Sequence, residues 1–172
     1  MQIITPTADH VPALAQLAAQ TFSETFAHLY PIEDLQAFLR KSYGHDALTT
    51  EIAQPGQFWR MLVDDTGAGV AYLQCGPVSL PHLEADPSRQ GEIKRLYVRQ
   101  TMQGKGLGRQ FMTMALDWLK ERYGDAPQWI GVWSENHKAQ ALYGSYGFQR
   151  VGEYQFPVGS TLDDEFILRR NP

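Results

Sequence analysis

The stretch that decides the fold runs from Gly91 to Lys120 and begins Gly91-Glu-Ile-Lys-Arg-Leu-Tyr-Val98, Arg99-Gln-Thr-Met102, Gln103-Gly-Lys-Gly-Leu-Gly108. The composition of Glu92 to Val98 is typical of a strand. A helix is predicted after the glycines, because its apolar residues fall on one stripe of a 3.6-residue period. These residues are Leu107, Phe111, Met114, Ala115, Trp118 and Leu119. The predicted order is strand, glycine loop, helix.

The glycines lie at the N-terminus of this helix, where backbone N–H groups lack intrahelical partners and the helix dipole is positive. Glycine lets backbone approach a ligand closely, so the pattern predicts a site for a phosphate or pyrophosphate. A P-loop would need a glycine where Arg99 stands, and a dinucleotide fingerprint one where Arg109 or Phe111 stands. Those two nucleotide motifs are excluded, and an ordinary strand-to-helix turn is the remaining structural alternative.

The composition limits the class of protein. The 172 residues, 43% of them hydrophobic, predict one domain over 1–172 with a sizeable core. The net charge of −4 argues against a nucleic-acid partner, and the absence of a long apolar run argues against a membrane partner. The start of the chain does not read as a signal peptide, so the expected location is the cytoplasm. Cys75 is the only cysteine and is expected to be a small buried residue.

Periodicity and turn residues predict the remaining elements. They are a strand at Gln2–Thr5, a helix capped by Asp9 and reaching Phe26, a helix from Pro31 to Gly44, a helix at Asp46–Ala53, strands at Gln57–Asp64 and Gly69–Cys75 around the turn Asp65–Gly67, a long loop at Pro77–Gly91, a strand at Gln128–Trp133, a helix at Asn136–Tyr146, and strands at Phe148–Tyr154 and Leu162–Arg169. The result is a mixed α/β arrangement.

Two motifs carry a resemblance to a known family. Gln103-x-x-Gly106-x-Gly108 resembles the coenzyme A pyrophosphate signature of the GCN5-related N-acetyltransferase (GNAT) superfamily. Asn136-x-x-Ala139-x-x-Leu-Tyr143-x-x-x-Gly147-Phe148 resembles a later helix of the same superfamily. The resemblance implies an α/β single-domain GNAT fold: a mixed, mostly antiparallel central sheet of about seven strands, flanked by helices and splayed between the fourth and fifth strands.

Acetyl-CoA is the co-substrate that this resemblance implies. The amides of the glycine loop would hold its pyrophosphate, and the edge of Leu96–Val98 would pair with its pantetheine. The expected cofactor-binding residues are Leu96, Tyr97, Val98, Gln103, Gly104, Lys105, Gly106, Leu107, Gly108, Arg109, Asn136, Ala139 and Tyr143.

Acetyl transfer to an amine needs a neutral nucleophile, whereas an alkyl ammonium has a pKa of roughly 10.4. Glu92 lies where several members of the superfamily carry a catalytic glutamate, so the resemblance implies that it is the general base, acting directly or through water, with an edge-strand surface glutamate as the alternative. Tyr143 matches the family's acid for the departing thiolate, and it shares a helix face with Asn136 because the two are seven residues apart. Tyr146 is expected in the core. No metal site is predicted, since the five histidines show no ligand spacing.

The expected acceptor is a small cationic amine. Three segments, Glu92–Val98, Glu24-Thr-Phe and Glu33-Asp-Leu35, resemble the polyamine-acetylating branch, and Glu24, Glu33 and Asp34 could attract a polycation. Two alternatives stay open: acetylation of a protein N-terminus or lysine, and an acyl-CoA sensor without turnover. A homodimer is suggested only by analogy with the superfamily.

Overall fold

One seven-stranded sheet forms the centre of the protein in a computed structural model that describes all residues 1–172. The strands are β1 (Gln2–Ile4), β2 (Phe58–Val63), β3 (Gly69–Pro77), β4 (Gly91–Val98), β5 (Gln128–Trp133), β6 (Gln149–Val158) and β7 (Thr161–Arg170). The helices are α1 (Val11–Phe26), α2 (Ile32–Tyr43), α3 (His45–Ala53), α4 (Leu107–Tyr123) and α5 (His137–Gly144). The spatial order of the strands is β1-β2-β3-β4-β5-β7-β6. This architecture confirms the predicted fold class.

The sheet opens between its fourth and fifth strands. These two form the single parallel pair, and their pairing covers only three positions, from Gly91 opposite Gln128 to Ile93 opposite Ile130. Beyond that point β5 stays paired with β7 along its whole length, while β4 stays paired with β3. The β4 edge from Lys94 onward therefore has no strand beside it on the β5 side. This opening is the splay expected from the family resemblance.

Each face of the sheet is covered by a different set of helices. On one face α1 places Leu14 and Leu17 against Met61 of β2 and Tyr72 of β3. On the other face α4 buries Phe111, Met112, Ala115 and Leu119 completely, together with Leu73 and Cys75 of β3. Adjacent β3 residues face opposite sides because side chains alternate along a strand. The predicted stripe of α4 and the buried Cys75 are confirmed.

Several observed element ends differ from the predicted ones. Asp9 does not cap α1, because residues Ala8–His10 form a short 3-10 turn in which the ring of His10 accepts a hydrogen bond from the Thr7 amide (3.1 Å). The strands β6 and β7 reach Val158 and Thr161, which pair directly across a tight turn containing Gly159 at φ +57°. The helix α5 ends at Gly144. None of the helices has the length and apolarity that crossing a membrane requires.

Candidate active site

A cavity of about 1140 Å³ occupies the opening between β4 and β5. Its lining reaches from the glycine loop on one side to Phe22 of α1 and Phe38 of α2 on the other. Pockets that hold a small ligand usually measure about 300–1000 Å³. The cavity is therefore large enough for a long cofactor and a second substrate together.

The glycine loop provides a concentration of free backbone donors. None of the six amides from Gly104 to Arg109 donates to another backbone group, and the first helical bond of this segment runs from the Gln110 amide to the Gly106 carbonyl (3.1 Å). Gly104 and Gly106 have φ of +80° and +83°, and an added Cβ at either would meet nothing within 4 Å. We call the segment Gly104–Arg109 the cradle. Its open space and unpaired backbone donors fit the pyrophosphate of coenzyme A.

Cationic side chains surround this cradle. Lys105 and Arg109 are exposed beside it, although only Arg109 lines the cavity, and Lys138 from the start of α5 reaches across to it. The Lys138 ammonium donates to the Gln103 side-chain oxygen (2.7 Å), while the side-chain Nε2 of Gln103 donates to the Val98 carbonyl (3.2 Å). Gln103 thus connects the end of β4 to α5. Sequence reasoning missed Lys138 because only the fold brings α5 beside the loop.

The free edge of β4 borders the cavity next to the cradle. Leu96, Tyr97 and Val98 pair with β3 on one side and line the cavity on the other. Backbone groups of a strand alternate between its two edges, so this edge presents donors and acceptors with no strand partner. It is available to an extended ligand containing amide groups.

The helix α5 supplies the next wall. The Asn136 side-chain oxygen caps the helix by accepting from the Ala139 amide (3.1 Å), and the side-chain NH2 group of Asn136 has no partner in the chain. Asn136, Ala139 and Tyr143 all line the cavity. Tyr143 is buried, and its hydroxyl donates to no atom of the chain. Burial and the nearby Glu165 carboxylate raise the pKa of Tyr143, so the phenol keeps its proton at neutral pH.

Glu92 lies on the cavity wall at the start of β4 and is buried. One of its oxygens, Oε2, accepts three hydrogen bonds: from the Ser79 amide (2.7 Å), the Ser79 hydroxyl (2.9 Å) and the Lys94 ammonium (3.3 Å). Ser79 belongs to the loop 78–90, whose beginning also lines the cavity. The structure places Glu92 at the site, with much of its capacity to accept hydrogen bonds already in use.

A further cavity carboxylate, the partly buried Glu165 of β7, was not singled out from the sequence. Its Oε2 accepts from the Tyr154 hydroxyl of β6 (3.1 Å), and both residues line the cavity. Burial raises the pKa of Glu165 to about 7, the charges of Asp163 and Glu92 contribute in the same direction, and the Tyr154 hydrogen bond lowers it. The sequence does contain a weak signal for Glu165: Asp163, Glu165 and the buried Ile167 are two residues apart and therefore lie on the same face of the strand.

The far end of the cavity is aromatic and acidic. The buried Tyr30 hydroxyl donates to the buried Asp163 carboxylate, and Glu51 of α3 forms an ion pair with Arg95. Rings from five residues complete this end: Phe22, Phe26, Phe38, Trp133 and Phe156. We call this end the acceptor end, defined by Tyr30, Asp163, Glu165 and these five rings.

The three acidic residues expected near the acceptor occupy different places. Glu24 lines the cavity, but its Oε2 accepts from the Gln100 amide (2.8 Å) just before the glycine loop. Asp34 accepts from the amide and hydroxyl of Ser160 at the β6–β7 turn, contacts that lower the pKa of Asp34. Neither Glu33 nor Asp34 lines the cavity. The acidic residues of the acceptor end are instead Asp163 and Glu165.

The comparison with known families shows the class of protein, an acyltransferase. The model of the acetyltransferase (GNAT) family matches residues 12–148, and the chain belongs to that family. It is an N-acetyltransferase of the GNAT class.

Individual relatives cover nearly the whole chain. An uncharacterized N-acetyltransferase in the pepI 3' region of Lactobacillus delbrueckii subsp. lactis is 32% identical over 99% of this chain and 96% of its own length. The N-alpha-acetyltransferase RimI of Mycobacterium tuberculosis is 29% identical, with 96% of each chain covered. The crystal structure of PaiA N-acetyltransferase from Thermoplasma acidophilum in complex with coenzyme A superposes with a TM-score of 0.78 at 18% identity, covering 99% of this chain and 98% of the other.

Proposed function

We propose that the protein transfers the acetyl group of acetyl-CoA to a primary amine, and that the acceptor is a small cationic amine, with a polyamine the first candidate. The observation that carries this proposal is the position of six unpartnered amides, Gly104 to Arg109, beside the open edge of β4. A donor cradle next to a free strand edge matches a ligand that has a pyrophosphate followed by an amide-containing arm.

The cofactor contacts follow the shape of the cavity. The cradle residues Gly104–Arg109 would bind the pyrophosphate, with Gln103 and Lys138 beside them. The edge Leu96–Val98 would bind the pantetheine amides, and Asn136, Ala139 and Tyr143 would flank the arm. Bound acetyl-CoA supplies an activated thioester, so the chain needs no covalent intermediate of its own.

Tyr143 is the proposed proton donor to the sulfur. Its phenol lies inside the cavity, holds its proton and has no competing partner in the chain. Its raised pKa makes it a hydrogen-bond donor first, and its proton moves only as negative charge develops on the sulfur. Two cavity carboxylates could accept the amine proton: Glu92, expected from the sequence, and Glu165.

The acceptor end favours a cation. Asp163 and Glu165 offer negative charge there, whereas the charge of Glu51 is balanced by Arg95. An ammonium above an aromatic face gains about 0.5–2 kcal/mol, more when it is desolvated. Carboxylates among rings therefore support an alkyl ammonium acceptor over a neutral one.

A protein N-terminus is the second candidate acceptor. The relative with 29% identity over 96% of the chain is the N-alpha-acetyltransferase RimI. Because a terminal amine is also cationic, the acceptor end does not separate these candidates by charge alone. They differ in the room that the substrate needs beyond the amine.

Steady-state release of coenzyme A should be measured with polyamines, aminoglycosides, amino acids and short peptides as acceptors. We expect turnover with spermidine or spermine at millimolar concentration. Turnover with a peptide N-terminus alone would establish the second candidate. If coenzyme A binds and none of these amines is acetylated, the proposed reaction is wrong and the acyl-CoA sensor alternative gains support.

A further inference from the structure

We propose that Glu165, positioned by Tyr154, is the general base that takes the proton from the acceptor amine; this inference rests on the proposed function. Glu165 is a catalytic residue in this proposal, because it contacts the amine, and Tyr154 is a positioning residue. Neither belongs to the motifs that define the family resemblance, which end at Phe148.

The first argument is the position of the pair at the vertex of the opening. Ile130 is the last β5 residue paired with β4, and Gly131 follows it. An added Cβ at Gly131 would lie 3.1 Å from the Tyr154 hydroxyl oxygen and 3.4 Å from Glu165 Oε2. The missing side chain at Gly131 therefore lets the Tyr154–Glu165 pair rest against β5 where the sheet separates. A thioester that reaches this vertex along β4 would have Glu165 beside its carbonyl group.

The second argument is that the Glu165 carboxylate accepts few hydrogen bonds. The Tyr154 hydroxyl is its one hydrogen-bond donor within the chain, and Glu165 lines the cavity. Glu92, in contrast, has three donors on one oxygen, and two of them come from Ser79. A base must have an unoccupied oxygen to accept the incoming proton. Oε1 is unoccupied in both carboxylates, so the difference lies in how they are held: Glu165 has one neutral donor, whereas Glu92 is fixed by three donors that include the Lys94 ammonium.

The third argument is the set of groups around Glu165. The titratable groups near enough to interact with Glu165 are Tyr154 of β6, Tyr143 of α5, Tyr97 and Glu92 of β4, Asp163 of β7 and Tyr30 before α2, with Lys94 beside Glu92. The nearest groups are thus phenols and carboxylates, and no cation pairs directly with Glu165. Such surroundings raise the pKa of Glu165 to about 7, which is close to the pH at which a general base is effective.

The proposed step balances as follows. Glu165 takes one proton from the acceptor ammonium, and the neutral nitrogen forms a bond with the acetyl carbon as the C–S bond breaks. Tyr143 gives its proton to the departing sulfur, and the second proton of the nitrogen restores the phenol. Glu165 then releases its proton to solvent. The products are the acetamide, coenzyme A thiol and one proton.

The test is the pH dependence of kcat/KM for an amine that the screen shows to be acetylated. Wild type should show an acidic limb near pH 7. Glu165→Gln should lower kcat by about 10²-fold or more and remove that limb. The loss should be smaller for an acceptor amine of low pKa, which is already neutral at the assay pH.

Tyr154→Phe tests the positioning role separately. Loss of the phenol removes a hydrogen bond that lowers the pKa of Glu165. The acidic limb should therefore move to higher pH, while coenzyme A affinity stays unchanged. A change in thermal stability without a shift of the limb would show that Tyr154 is merely structural and would overturn this part of the proposal.

Glu92→Gln tests the alternative that Glu92 is the general base. We expect its acidic limb to remain near that of wild type, whatever its kcat. If Glu92→Gln removes the limb and Glu165→Gln keeps it, Glu92 is the base and the inference is wrong. If wild type acetylates no amine in the screen, the proposed function fails and the base assignment with it. Turnover with an unchanged Glu165→Gln profile overturns the base assignment alone.

Discussion

Glu24 of α1 accepts a hydrogen bond from the backbone amide of Gln100 (2.8 Å), 76 positions later in the chain. A second hydrogen bond, from the Gln20 side chain to Glu24 Oε1 (2.8 Å), fixes the carboxylate along the helix. Gln100 begins the short turn that precedes the glycine loop. Glu24 thus connects the first helix to the entry of the cofactor cradle, and both of its oxygens already accept hydrogen bonds.

Glu24→Ala is expected to weaken coenzyme A binding several-fold, because the segment before the cradle loses its anchor. The acceptor KM should change little. Glu33→Ala is the matched control, since Glu33 is an exposed acidic residue that does not line the cavity. Isothermal titration and steady-state kinetics would measure the two quantities. An equal rise of acceptor KM in both variants would instead point to general electrostatic attraction.

Gly106→Val should lower coenzyme A affinity by at least tenfold. A side chain at Gly106 would extend into the donor cradle, and its φ of +83° costs a non-glycine residue about 1–2 kcal/mol. Gly67→Val controls for the backbone strain alone, because Gly67 has φ of +85° and equal open space but does not line the cavity. The two variants should lose similar stability, and only Gly106→Val should lose affinity. Unchanged affinity would remove the pyrophosphate assignment.

Tyr143→Phe should lower kcat by about 10²- to 10⁴-fold, the range expected for a positioned acid. Tyr146→Phe is the control on the same side of the sheet, since the Tyr146 hydroxyl donates to the Arg109 carbonyl (3.3 Å) and does not line the cavity. Rapid-quench kinetics must first establish that acetyl transfer limits turnover. Retention of wild-type kcat by Tyr143→Phe under that condition would assign the acid role to water.

Glu165 should also affect stability in a pH-dependent manner without any substrate. Its pKa is raised from 4.5 to about 7 on folding, so the folded protein binds this proton more tightly than the unfolded chain does. Stability conferred by the protonated carboxyl is therefore present below pH 4.5 and lost as the pH rises to 7. A tenfold difference in proton affinity between the folded and unfolded states corresponds to about 1.4 kcal/mol of stability.

Denaturant unfolding of wild type and Glu165→Gln at pH 5 and pH 8 would measure this effect. The variant should gain stability relative to wild type as the pH rises, because glutamine carries no titrating proton. A constant difference between the two proteins across this range would contradict the raised pKa of Glu165.

The sequence predicted those features that depend on local pattern. The apolar stripe of α4 and the glycine loop could be predicted because helical periodicity and a phosphate-binding glycine pattern are each contained within about fifteen residues. Glu165 and Lys138 were not, because their significance depends on pairing between β5, β6 and β7 and on the approach of α5 to the loop. The prediction that Asp9 caps α1 was wrong for a local reason: the chain forms a turn between Thr7 and His10 instead of a cap at Asp9. Short polar segments allow several such turns of similar energy.

Some aromatic rings of the acceptor end also stabilise the fold. Phe22, Phe26 and Tyr30 belong to the hydrophobic cluster that joins α1 and α2 to the sheet, and they also line the cavity. Truncating a buried phenylalanine costs about 3–5 kcal/mol, a large part of the total stability of a domain. Trimming these rings is therefore a poor route to new acceptor preferences. Thr25 and Ser42 line the same cavity without belonging to the cluster, so evolution or an engineer can alter substrate selectivity there at little risk to folding.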